Sequence, residues 1–219
     1  EEGYEAVLPQ PASPEDIGRA HTGSHLAVIS QDRQLWDMAC LAAGGAVMAS
    51  EIALKGDPAF ACVAPPGHHA SRNSAWGYCA FCNMGVALLR LLHQGRIRSA
   101  FILDFDAHTG DGTIDVLSRH RDVRILNPMA ANREDYLSTI HDYVSNLPPV
   151  DMVAVSAGFD TYEKDVGKKL KTFDFYLIGR MMKKLARKMG HGRRFAILEG
   201  GYYQPDLGKN VLAFCQGFD

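Results

Sequence analysis

Ala100-Phe-Ile-Leu-Asp104-Phe-Asp106-Ala-His108 is the stretch on which the reading of this chain turns. An apolar run with a β-branched residue, ending in alternating acids and an imidazole, is a buried strand that delivers polar groups at its tip. Side chains two apart on a strand share a face. Asp104, Asp106 and His108 are therefore expected to point one way, and Phe105 and Ala107 the other. Carboxylates and an imidazole at that spacing suit a divalent metal such as zinc. Taken alone, the same acids are also what caps a following helix, so the rest of the chain has to decide.

Outward from this strand, expected over Ala100–Asp104, the chain alternates. A short apolar strand, Ala59 to Ala64, ends in Pro65-Pro66-Gly67 and is followed by a helix over residues 83–93. Beyond His108 come a helix at about Gly112–Ser118, strand Val123–Leu126, a helix at about Arg133–Asn146 and strand Met152–Ser156. Helix Phe173–Met189 and strand Phe195–Leu198 follow. Short apolar strands alternating with helices indicate a mostly parallel sheet covered on both faces, a three-layer α/β/α fold. Nearer the start, Ser13-Pro-Glu-Asp16 has the N-cap, proline and acids of a helix start leading toward His21. Residues from about Leu35 to Leu54 form an Ala-rich helix. Its Gly44-Gly45 pair costs about 1 kcal/mol each relative to Ala unless another element packs close. With no repeat or linker, residues 1–219 are expected to be one domain.

In such sheets the working site lies beyond the carboxyl ends of the strands. The polar residues collect there: His68-His69, Asp104 to His108, Asp160 after Val153–Ser156, and Glu199-Gly-Gly-Tyr202 after the last strand. Singly, each has a bland explanation, such as a loop histidine pair, a helix cap or a surface aromatic. Four loops converging on one edge make a site.

Composition narrows the class. Hydrophobic content is 47%, charge 22% and net charge -2, and the longest basic clusters are Lys168-Lys169 with Lys171, and Lys183-Lys184. A basic surface for nucleic acid is not suggested. No apolar run approaches the roughly 20 residues that span a bilayer, and Glu1-Glu2-Gly3-Tyr4 lacks the features of a signal peptide. Five cysteines without a disulfide framework imply a reducing, cytoplasmic setting, or a nuclear one in a eukaryote. Cys79-Ala-Phe-Cys82 has CxxC spacing, but with no second pair and with Trp76, Tyr78 and Phe81 around it, it reads as buried structural thiols. His21, His25, His93, His120, His141 and His191 read as structural or solvated.

Pro65-Pro-Gly-His68-His69-Ala70, Gly77-Tyr78-Cys79, Asp104-Phe-Asp106-Ala-His108-Thr-Gly-Asp111-Gly112-Thr113, Ser156-Ala-Gly-Phe-Asp160 and Leu198-Glu-Gly-Gly-Tyr202 occur in this order. The pattern resembles the zinc-dependent deacetylases, the family of histone deacetylases and acetylpolyamine amidohydrolases. His21-Thr-Gly-Ser-His25-Leu is similar to that family's early His-containing helix. The resemblance implies an arginase/deacetylase fold and one zinc ion on Asp106, His108 and Asp160, leaving a coordination position open. It implies that zinc acidifies a water and polarises an amide carbonyl. His69 would then be general base and later acid, His68 its electrostatic or proton-handling partner, and Asp104 and Asp111 would orient His68 and His69. Tyr202 would donate to the developing oxyanion. Gly77 and Tyr78 would line the acyl channel, and Gly200 and Gly201 would form the turn beside it. A potassium ion near Asp104, Asp106 and His108 is implied too, with Asn127 standing where relatives carry Ser. The expected substrates are an N-acetylated protein lysine or a small acetylated amine, with no membrane and no nucleic acid as partner.

Several features depart from that family. Only 28 residues separate Asn127 from Ser156, too few for the loop that supplies one aromatic wall of the channel. The short segment between His25 and Leu35 lacks the acidic loop that grips substrate backbone, the usual N-terminal strand is expected to be missing, and Thr109 replaces a His. A shallower, more open pocket is the expectation. The related arginase-like enzymes hold two manganese ions and need further carboxylates where this chain has Gly110 and Tyr162, so one metal is favoured. The alternative reading is a non-catalytic module that keeps the fold to recognise acyl groups or partners.

Overall fold

A computed structural model describes residues 3–219. Its strands are β1 (Ala59–Ala61), β2 (Ala100–Asp104), β3 (Val123–Leu126), β4 (Met152–Ala157) and β5 (Arg194–Leu198). They form one sheet in the order β1-β5-β4-β2-β3, with every pairing parallel. The expected α/β architecture is the one found. Asp104, the last residue of β2, lies opposite Ser156 of the neighbouring β4.

Side chains alternate across the central strands and divide the interior in two. Ala100 and Ile102 of β2 join Met152, Ala154, Phe195 and Ile197 in one core, closed by α1 (Pro14–Ala20), α3 (Arg33–Leu54) and α4 (Asn83–His93). Phe101 and Leu103 join Val153, Val155 and Ala196 in the other, closed by α6 (Arg133–Ser145), α7 (Thr172–Lys188) and α8 (Gln204–Phe218). Burial on both faces is why these strands read as unbroken apolar runs.

The cost of Gly44-Gly45 inside α3 is explained by close approach. A Cβ on Gly44 would stand 1.9 Å from the Gln10 carbonyl oxygen, and one on Gly45 2.5 Å from Val63 Cγ1. The same helix corrects one expectation: by length and composition it is apolar enough to cross a membrane, although the sequence held no comparable uninterrupted run. Its most apolar 18-residue window is 56% buried inside the protein, and the helix lies against α4, β1 and β5. It is a core helix.

Other boundaries shift in ways that matter for the site. β1 stops at Ala61 rather than Ala64, because this edge strand pairs only with β5 and its register ends at Ala61 opposite Ile197. α5 spans Asp111–Leu117, so Asp111 opens the helix one residue earlier than expected. α2 (Gly23–Ile29), capped by the Thr22 side chain, takes up the His25 segment. α8, with Pro205 in its first turn, adds a helix beyond the expected elements.

Candidate metal and catalytic site

β2 ends at Asp104, so Asp106 and His108 are on the following loop and not on the strand itself. Carboxylates impose the order there. Asp104 Oδ1 accepts the Asp106 backbone N–H at 3.2 Å, and Asp106 Oδ1 accepts that of His108 at 2.9 Å. Side chains bonding the backbone two residues on are the turn chemistry that Asp favours. The alternation of the strand is thereby carried past its end. From the neighbouring β4, a 3-10 turn at Phe159–Thr161 brings in Asp160, whose Oδ1 accepts the Ala107 N–H at 2.9 Å.

The three side chains meet. One donor atom each from Asp106, His108 and Asp160 lie within 4.8 Å of one another, the one such metal-ligating group among the described residues. His108 Nδ1 stands 3.0 Å from both Asp106 Oδ1 and Asp160 Oδ2. Asp160 Oδ2 is buried and has no hydrogen-bond donor. A buried carboxylate oxygen left without a donor is costly unless a cation serves it. Burial, then the Asp106 charge, push the Asp160 carboxyl up to about 7. Burial also opposes charge on Asp106, yet His68 and the donors from His108 and Gly200 hold it below the usual carboxylate range. Two buried carboxylate oxygens and a nitrogen from the more exposed His108 suit a small divalent ion such as zinc.

His68 and His69 come from the loop after β1. Glu199, at the end of β5, reaches back to that loop: Oε2 accepts Gly67 N–H at 2.9 Å and His68 N–H at 3.1 Å, while Oε1 accepts Ser156 Oγ–H at 3.0 Å. His68 Nδ1 lies 3.1 Å from Asp104 Oδ2, and His69 Nδ1 2.6 Å from Asp111 Oδ1. Each Nδ1–H therefore donates to its carboxylate, which leaves Nε2 toward the site. The His68 Nε2 is 3.8 Å from Asp106 Oδ2.

The two imidazoles differ electrically. Burial opposes protonation of His68, but the bond to Asp104 and the charges of Asp104, Glu199 and Asp106 outweigh it and lift the group to about 10. Burial also raises Asp104 despite His68. These directions agree on one point, that the pair retains a proton near neutral pH. His69 is held below the ordinary imidazole value, first by burial and also by His68, against the pull of Asp111.

The loop after β5 completes the edge. Gly200 N–H donates to Asp106 Oδ2 at 2.9 Å, and a Cβ on Gly200 would stand 2.6 Å from that oxygen. Gly201, at φ +150°, then turns the chain in a way L side chains rarely adopt. Asp165 pins the next two residues, its buried Oδ2 accepting the N–H groups of both Tyr202 and Tyr203 at 2.7 Å. Tyr202 is 49% exposed, and burial of its phenol beside the Asp106 and Asp160 charges pushes it up to about 12. Gly77 packs on His69, where a Cβ would meet Cδ2 at 2.6 Å, while Tyr78 is 83% exposed with φ 65°.

Sequence reasoning leaves the roles of three of these participants unread. Glu199 stands out there only as part of a motif, and Asp165 does not stand out at all. Trp76 passes for an apolar neighbour, although its indole stacks on His69. Elsewhere the expectations fit the local chemistry. His21 links Ser71 O and Cys82 N–H across the loop, and His25 Nε2 bonds Ala80 O. Buried Cys82 caps α4 through Gly85 N–H, and half-buried Cys79 accepts His69 N–H at 3.4 Å. Gly110 has no side chain, its N–H donates to Asn127 Oδ1 at 2.8 Å, and the Tyr162 hydroxyl donates to Asp206 at 2.9 Å. Neither offers a second metal a carboxylate.

Comparison with known proteins agrees with the geometry. A family profile described as histone deacetylase domain matches residues 3–136 and 127–218. The chain belongs to the histone deacetylase family. It is similar to a probable deacetylase of Archaeoglobus fulgidus, 30% identical over 275 residues that cover 100% of this chain and 76% of the relative. It is also 30% identical over 199 residues to acetylpolyamine amidohydrolase 1 of Pseudomonas aeruginosa, covering 74% of this chain and 56% of that protein. Among solved structures, the HDA15 HD domain superposes with a TM-score of 0.87 at 22% identity, covering 97% of this chain and 75% of that one. That likeness supports the fold. The two pieces of the histone deacetylase match overlap at residues 127–136, which run from the end of β3 into α6.

Proposed function

We propose that this chain is a zinc-dependent hydrolase that removes an acetyl group from an amide nitrogen, on a protein lysine or on a small acetylated amine. The observation that carries the reading is the buried, donorless Asp160 Oδ2, facing Asp106 and His108 beside two His–carboxylate pairs. Family membership supports a deacetylase or amidohydrolase activity, and relatives named deacetylase and acetylpolyamine amidohydrolase motivate both substrate classes.

Asp106, His108 and Asp160 would hold zinc, which supplies Lewis acidity for the acyl carbonyl and acidifies a water. His69, neutral and with Nδ1–H committed to Asp111, presents Nε2 to take the proton of the attacking water. His68 and Asp104 keep a second proton close, which steadies developing negative charge and is available to the departing amine. Tyr202 remains a phenol and donates to the developing oxyanion. Gly77 and Tyr78 stand where the acyl chain would enter, with Gly200 and Gly201 at the turn opposite.

A potassium ion near Asp104, Asp106 and His108 belongs to the same reading, with Asn127 Oδ1 engaged by Gly110 N–H. So does a reducing cytoplasmic or nuclear setting, in keeping with five free cysteines. Zinc-reconstituted protein is expected to release acetate from an acetyl-lysine peptide or an acetylated polyamine, and Asp106→Ala to release none. Protein that holds one zinc and releases acetate from neither class would overturn the reading.

A further inference from the structure

Trp76 takes two separate grips on the proposed catalytic base and its orienting carboxylate. Its indole Nε1–H donates to Asp111 Oδ2 at 2.9 Å, while the other oxygen of that carboxylate accepts from His69 at 2.6 Å. Its ring stacks on the His69 imidazole, with centroids 3.7 Å apart and planes 29° from parallel. One side chain thus holds Asp111 against rotation and covers one face of His69. We propose that Trp76 is a positioning residue for the His69–Asp111 pair, shielding it from water and fixing the direction of the His69 Nε2.

The need for such a device follows from the openness of this edge. Half of the Asp111 side chain is solvent-accessible (49%), so a carboxylate held by His69 alone would exchange that bond with water. With both oxygens engaged it has one orientation, and burial, which raises its pKa, is outweighed by the His69 and Trp76 bonds. The backbone after Trp76 supports the placement. Gly77 and Tyr78 both have left-handed φ, 60° and 65°, and wrap the chain around His69. The adjacent Cys79 Sγ accepts the His69 backbone N–H. Second partners of this kind, which orient a group rather than touch substrate, are worth about 10- to 100-fold in activity.

The inference rests on the proposed role of His69, so its test includes a readout independent of turnover. The His69 Nδ1–H in its short bond to Asp111 should give a downfield proton resonance, assigned by 15N-histidine labelling and by its absence from His69→Gln. In Trp76→Leu, a change at a side chain 55% exposed, that resonance should broaden into exchange with water. Trp76→Phe keeps a ring over His69 but has no N–H, and should fall between. On zinc-loaded protein, Trp76→Leu should lower kcat by about 10-fold with KM within about 2-fold. An unchanged resonance in Trp76→Leu would overturn the proposal whether or not the protein is a deacetylase. Unchanged kcat with a raised KM would also overturn it, and would make Trp76 a wall of the substrate path.

Discussion

At the floor of the site, both oxygens of Asp104, Asp106 and Glu199 accept hydrogen bonds, and Asp160 Oδ2, 3.0 Å from His108 Nδ1, is the sole carboxylate oxygen among these four residues that accepts none. At the rim, Tyr78 and Trp76 stand 83 and 55% exposed. The same bonds that close the parallel sheet at its carboxyl edge also place the metal ligands. Glu199 joins β5 to the loop after β1, Gly200 joins it to the loop after β2, and Ala107 joins that loop to Asp160. Loss of one such bond disturbs folding and chemistry together. The Tyr78 side chain at the rim shares no such obligation.

The largest effect is expected from Asp160→Asn. Turnover should fall to background and bound zinc, read by elemental analysis, should be lost. The metal-free variant should melt no lower than metal-free parent, because it removes a buried carboxylate that has no donor and faces Asp106. Tyr202→Phe is expected to cost about 10²- to 10³-fold in kcat while zinc content stays unchanged. Turnover at the parental rate would remove Tyr202 from the mechanism.

Asp165→Ala lies between floor and rim. It strips acceptors from the N–H groups of Val166, Tyr202 and Tyr203 and should cost about 1–3 kcal/mol in denaturant unfolding. The smallest effect is expected at Tyr78→Gly. A bulky residue at left-handed φ carries about 1–2 kcal/mol of strain, so stability should not fall, while KM for an acetyl-lysine peptide should rise with kcat unchanged. Were Tyr78→Gly to destabilise the protein more than Asp165→Ala, the contrast between floor and rim would collapse.

Much of the floor is legible in the sequence because its residues sit at strand ends, where an apolar run stops and a polar cluster begins. Asp104, Asp106, His108 and Asp160 follow that pattern, and the structure gathers them at one edge. The expected strand Ala100–Asp104 is β2 as found, and past its end Asp side chains, not a ladder, maintain the alternation out to His108. The roles of Glu199, itself at a strand end, and of Asp165 are not legible in the sequence because their partners lie far off, at Gly67 and His68 for one and at Tyr202 and Tyr203 for the other. An acid after an apolar strand looks solvated until its donors are known. α8 carries Gly208 and Gly217, which weaken a helical reading. Packing explains the second, since a Cβ there would stand 2.1 Å from the Tyr176 carbonyl oxygen on α7. Trp76 looks like an apolar neighbour because sequence shows the indole ring but not where its N–H goes.

Zinc titration of metal-free protein, with acetate release followed at each addition, tests the central claim most directly. Release should rise in proportion to zinc, level off at one equivalent per chain, and vanish in Asp160→Asn. Release that is indifferent to zinc, or one tightly held zinc with no release from acetyl-lysine peptide or acetylated polyamine, would contradict it.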